Sequence, residues 1–184
     1  MRNLVLAAMF AATAAAPALA QDSAASFSGP RVEGVVGWDR VSNDGHDNGV
    51  TYGIGAGYDM RFGNIVAGLE TELSDSNVKE CQFGAVCASM GRDIYVGGRV
   101  GTVLGGRTLL YAKAGYTNAR ARLTGTAPDG TTIGGHTNLD GVRVGAGAEY
   151  ALTSNAYLKA EYRYSNYQDG FQRNQVVGGF GFRF

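Results

Sequence analysis

Eight stretches of this chain alternate between two kinds of residue with a period of two. They are residues 31–40, 49–60, 64–73, 90–101, 108–120, 139–150, 156–165 and 173–184. In the sixth, Val142, Val144, Ala146, Ala148 and Tyr150 interleave with Gly141, Arg143, Gly145, Gly147 and Glu149. Strict alternation places successive side chains on opposite faces of a strand, and no helical period of any length competes with it. The runs are about ten residues long. Strands of soluble proteins usually have about 5–6 residues, whereas a tilted strand needs about 9–11 to cross a bilayer.

The two faces differ in chemistry. One carries aliphatic residues with aromatics near both ends: Tyr58, Tyr116, Tyr150, Phe182 and Phe184 toward one end, Trp38 and Tyr164 toward the other. The other face holds Arg31, Glu33, Asp39, Asp59, Glu70, Glu72, Asp93, Arg99, Lys113, Arg143, Glu149, Lys159, Glu161, Arg163 and Arg183, mixed with Gly and Tyr. An exported soluble sandwich or lipocalin-like barrel has the same period but needs its apolar face inward. Long strands, rows of Gly on the charged face and the final aromatic Phe184 favour the inverse arrangement, with the apolar face outward in lipid and the charged face inward. An open sheet edge in hydrocarbon strands N–H and C=O groups at several kcal/mol each, so the sheet must close. The sequence therefore predicts an all-β protein, an eight-stranded antiparallel up-and-down transmembrane β-barrel.

Connection lengths agree. Residues 61–63, 102–107 and 151–155 are short, whereas 41–48, 74–89 and 121–138 are long; 166–172 is intermediate. Outer-membrane barrels have this asymmetry, with short periplasmic turns and longer external loops. Residues 1–20 have a basic Arg2, the apolar run Leu4 to Ala16 and the small-x-small site Ala18-Leu19-Ala20. That is the form of a secretory signal peptide, too short in its apolar part to span a bilayer as a helix. The expected organisation is a signal peptide over 1–20, a flexible lead-in over 21–30 and a barrel over 31–184, placed in the bacterial outer membrane.

Eight strands enclose a space only just wide enough for side chains. The inward carboxylates and cations nearly balance, which predicts a paired polar network of Glu33, Glu70, Glu72, Arg99, Lys113, Arg143, Glu149, Lys159, Glu161, Arg163 and Arg183 filling the interior. Across the chain, 16 Lys and Arg balance 16 Asp and Glu, which excludes a strongly basic nucleic-acid binder. Cys81 and Cys87 lie six positions apart in the long connection 74–89, and in an exported chain the first reading is a disulfide within that loop. No nucleophile, base and acid set can be assembled around His46 and His136, the chain's two histidines. Gly53-Ile54-Gly55-Ala56-Gly57 lies inside a strand with no helix after it, so it lacks the context of a nucleotide loop. No enzyme activity, cofactor or metal is expected.

The stretches Leu110 to Tyr116, Leu139 to Tyr150, Leu158 to Tyr164 and the ending Val177 to Phe184 resemble the porin-family or opacity-type outer-membrane β-barrel proteins of Gram-negative bacteria, in the style of small alphaproteobacterial surface antigens. The resemblance implies a structural and surface-exposed barrel, with outer-membrane lipids, lipopolysaccharide and the barrel-assembly machinery as partners and an unidentified external partner at the long loops. It supplies no catalytic residues. The chain ends on its last strand, so a cell-wall-anchoring domain is not expected. The alternative function is a narrow passive pore for ions or very small solutes.

Overall fold

The computed structural model describes residues 27–42, 46–76, 79–82, 86–126, 132–168 and 172–184. The expected signal peptide and residues 21–26 of the lead-in lie outside that set. The strands are β1 (Gly29–Ser42), β2 (His46–Phe62), β3 (Ile65–Ser76), β4 (Lys79–Gln82), β5 (Val86–Leu104), β6 (Thr108–Thr126), β7 (Thr132–Ala151), β8 (Ala156–Tyr167) and β9 (Gln172–Arg183). All pairings are antiparallel, and β1 pairs with β9 to close the sheet. The nine strands make eight staves. Both β3 and β4 pair with β5, so β4 continues the third stave past residues 77–78.

The register fixes the shape of the barrel. Starting at Arg40, register partners run through Asn174, Tyr164, Val144, Ala114, Gly98, Leu69 and Tyr58 to Pro30. The circuit returns to β1 ten positions from where it began, 40 against 30. Eight staves with a stagger of ten tilt by about 41° and form a backbone cylinder about 16 Å across, given the usual strand rise and spacing. At that tilt ten residues climb about 25 Å, the height of the apolar band of an outer-membrane barrel. The ten-residue runs are thus the bilayer-crossing parts of longer strands.

The strands overrun the expected boundaries at the long-loop end. Much of the segments read as loops at 74–89 and 121–138 is paired strand, in β4, β5, β6 and β7. Hydropathy gives no sign of it, because a strand above the bilayer has water on its outer face and needs no apolar alternation. At the other end the turns are tight. Gly63 (φ 61°) closes β2–β3, and Gly105 (φ 57°) with Gly106 (φ 72°) closes β5–β6, all in the left-handed region that Gly enters without a Cβ penalty.

The structured wall also begins before residue 31. Gly29 and Pro30 belong to β1, and Phe27 is fully buried. Phe27 packs with Val66, Val103, Leu109, Tyr111 and Ala151 as a small apolar floor at the tight-turn end. The Arg183 guanidinium lies 5.2 Å from the centre of its ring.

Candidate functional site

The wall sorts side chains as the alternation predicts. Ile54, Leu69 and Val142 are 65%, 72% and 60% exposed on the outside, whereas the charged face is buried. The enclosed charges are eight carboxylates (Glu33, Asp39, Asp59, Glu70, Glu72, Asp93, Glu149, Glu161) and eight cations (Arg31, Arg99, Lys113, Arg143, Lys159, Arg163, Arg173, Arg183) among the described residues. Every expected network residue lies inside. Arg173 joins them and was not among the expected ones. It occupies the same odd-numbered face of the last strand as Gln175 and Val177, so the parity that placed the others also places Arg173.

The larger part of the network rises from the tight-turn end. Asp59 receives Arg99 Nη2 at 2.7 Å, Arg183 Nη2 at 3.1 Å and Arg31 Nε at 3.3 Å. Glu149 pairs with Arg99 and takes Arg183 Nη2 at 2.8 Å. One tier higher, Glu33 accepts from Lys159 Nζ at 2.5 Å, Arg31 Nη1 at 3.0 Å and the Tyr157 hydroxyl at 2.8 Å. Glu70 pairs with Arg31 and with Lys113 Nζ at 2.6 Å. Glu161 pairs with Arg163, with Lys113 Nζ at 3.0 Å and Lys159 Nζ at 3.4 Å, and accepts from the Tyr111 hydroxyl at 2.5 Å. Arg163 then grips Glu72 with both terminal nitrogens, at 2.5 and 2.6 Å, in the bidentate geometry that suits a guanidinium.

A second cluster sits toward the long-loop end. Arg173 pairs with Asp39 and reaches Asp93 Oδ2 at 2.7 Å. Asp93 also pairs with Arg143 and accepts from the Thr117 hydroxyl at 2.6 Å. The Ser76 hydroxyl donates to Asp39 at 2.7 Å. The lower network thus holds six carboxylates and six cations, and the upper cluster two of each. Each is neutral by itself. A buried charge is tolerable when a geometrically good partner and further hydrogen bonds offset its lost hydration, and these clusters supply both.

Glycine makes room for this filling. A Cβ on Gly147 would stand 2.7 Å from the Tyr111 hydroxyl, and one on Gly115 would stand 2.8 Å from Cε2 of Tyr95. The rings so accommodated lie under the cations. Arg99 sits 4.9 Å from the Tyr111 ring centre and Lys113 Nζ 4.5 Å from that of Tyr95, within cation–π range.

The backbone register places Cys81 directly opposite Cys87 on β4 and β5. Directly paired residues of an antiparallel ladder have Cα atoms about 4.5 or 5.5 Å apart, inside the range a disulfide spans. The side chains of both cysteines lie outside the described residues.

Comparison with known proteins agrees with this architecture. Residues 4–184 match the outer membrane protein beta-barrel domain family. The "22 kDa outer membrane protein" of Rhizobium leguminosarum bv. viciae is 33% identical over 150 residues, covering 73% of this chain and 68% of that protein. Among solved structures, the fold resembles Ail, the attachment invasion locus protein of Yersinia pestis, with a TM-score of 0.61 at 15% identity, over 85% of this chain and 99% of Ail. It also resembles Neisserial surface protein A, with a TM-score of 0.62 at 19% identity, over 85% of this chain and 98% of that one. The chain belongs to the outer membrane protein beta-barrel domain family and is a closed eight-stranded barrel of the bacterial outer membrane.

Proposed function

We propose that this barrel is a structural, surface-exposed component of the outer membrane whose lumen is closed by its own charges. One observation carries the reading: among the described residues, each of the sixteen buried charges is within ion-pair distance of an opposite one. Conduction requires ions to be bound weakly enough to leave, whereas charges that already compensate one another leave little net field to draw an ion through. On this reading the working parts are the wall, which joins the bilayer, and the strand extensions above it, which meet the outside. A disulfide between Cys81 and Cys87 would tie the tip of the β4–β5 hairpin. Intact-mass analysis should show alkylation of both thiols only after reduction, and labelling without reductant would remove the cross-link from the reading.

The test of the main proposal is conductance of the refolded protein in planar bilayers, after heat-dependent gel mobility has shown folding. Silence is expected. Reproducible steps, altered by Arg143→Gln or Glu149→Gln, would replace the plug with a narrow pore.

The pore reading has one observation in its favour. Among the described residues no ion pair joins the Glu72–Arg163 tier to the Asp93–Arg143 cluster. Gln175, buried in the same part of the interior between its strand partners Arg163 and Asp39, has neither side-chain polar atom hydrogen-bonded. Any conducting path would have to pass this seam, so Gln175→Leu should abolish whatever current is found.

A further inference from the structure

The outer wall carries a cation whose place the network does not explain. Arg40 follows the outward parity of Val36 and Trp38 and is exposed on the lipid-facing side of β1. Among the described residues it has no ion pair and no hydrogen-bond partner. Its register partners on both neighbouring strands are asparagines, Asn48 on β2 and Asn174 on β9, so three polar side chains stand abreast across about 10 Å of wall. They border a concavity of about 550 Å³ whose floor is apolar, formed by Trp38, Tyr162 and Val176. The two asparagines are oriented by that floor. The Trp38 indole N–H donates to Asn48 Oδ1 at 3.4 Å, and the Tyr162 hydroxyl donates to Asn174 Oδ1 at 2.6 Å. With both amide oxygens engaged as acceptors, the two NH₂ groups remain as donors beside the guanidinium.

The height of this notch matters as much as its chemistry. Arg40 stands two residues above Trp38, about 5 Å along the barrel axis at the tilt derived above. Trp and Tyr mark the level of lipid headgroups, and a cation just beyond them meets phosphate. A donor set of one guanidinium and two amide NH₂ groups, with no carboxylate among its lining residues, complements an anion with several acceptor oxygens above an acyl chain.

We propose that Arg40, Asn48 and Asn174 bind the phosphate of an outer-leaflet lipid headgroup, with the lipid's acyl chain lying down the wall over Trp38 and Val176. The proposal rests on the outer-membrane placement of the barrel and is independent of whether the lumen conducts.

Native mass spectrometry of the delipidated protein, folded in a neutral detergent and titrated with lipid A, tests it. Bisphosphorylated lipid A should half-saturate the protein at a concentration lower than the dephosphorylated form by about tenfold or more, the worth of one charge-assisted hydrogen bond. Arg40→Gln should abolish that preference, and Asn48→Ala with Asn174→Ala should reduce it. Arg107→Gln, in the turn at the opposite end, should leave it intact. Trp38 is the chain's one tryptophan, so its emission should shift with bisphosphorylated lipid A in the wild type and not in Arg40→Gln. Should Arg40→Gln fail to give the heat-modifiable band, Arg40→Lys keeps the charge, loses the fork and should show a reduced preference. Equal binding of the two lipids would overturn the proposal, as would an unchanged preference in a folded Arg40 variant. Displacement of the lipid by equimolar inorganic phosphate would overturn it in favour of a free-phosphate site.

Discussion

The two faces of this wall are built on the same strands and differ in how much each residue depends on a particular neighbour. On the outside, Ile54, Val144 and Leu69 meet lipid, which is equally good at any apolar shape. On the inside, Arg163 meets Glu72 at 2.5 and 2.6 Å, two terminal nitrogens against two carboxylate oxygens. The outer face needs only a class of residue, whereas the inner face needs particular partners. Alternation exposes both requirements in sequence, but only the first can be satisfied residue by residue.

Substitutions on the two faces should therefore fail differently. The largest effect is expected from Arg163→Leu. Arg163 is the ion-pair partner of Glu72, and removing one member of a buried pair costs about 3–5 kcal/mol because the other charge is left uncompensated. Urea unfolding in lipid vesicles should show that loss, and Arg163→Leu combined with Glu72→Leu should recover most of it. A double variant no better than the single one would mean that the pair matters for itself rather than for neutrality.

On the outer face, Ile54→Arg should cost about 2–4 kcal/mol, the price of a cation facing the bilayer interior, and no second substitution inside the barrel should rescue it. Normal stability of Ile54→Arg would put that face out of lipid. Smaller again is Gly147→Ala. Its methyl would meet the Tyr111 hydroxyl and the Ala160 carbonyl, both at 2.7 Å, for an overpacking cost of about 1–3 kcal/mol. Its outward neighbour Ala146 sharpens the contrast. Ala146→Leu adds three carbons toward lipid and should change the unfolding free energy by less than about 0.5 kcal/mol. If the larger change at Ala146 proved the more damaging, the faces would have been assigned backwards.

Much of this molecule was legible from period two alone. Eight staves and two unlike faces follow from counting odd and even positions. Strand length, the rows of Gly and the final Phe184 turn the charged face inward, which places residues as far apart as Glu33 and Arg183 in the lumen. The partners did not follow. Which cation serves Glu70 depends on the stagger of ten, a property of how eight strands align that no single strand carries. The floor around Phe27 escaped because a lone aromatic in a small, polar segment has no period to read. The extensions in β4 and at the ends of β6 and β7 escaped because outside the bilayer the outer face is no longer required to be apolar.

The pairs in the lumen also join distant parts of the chain. Lys159 meets Glu33 from 126 positions away, and Arg173 meets Asp39 from 134. Strand β9 brings Arg173 and Arg183, which serve Asp39, Asp93, Asp59 and Glu149. Without that strand Asp39 has no cation among the described residues, and Asp93, Asp59 and Glu149 each lack one of theirs. Hydrocarbon rejects such charges while water accepts them. An unclosed sheet would turn these charges toward hydrocarbon, so closure of the cylinder is expected to accompany entry into the lipid.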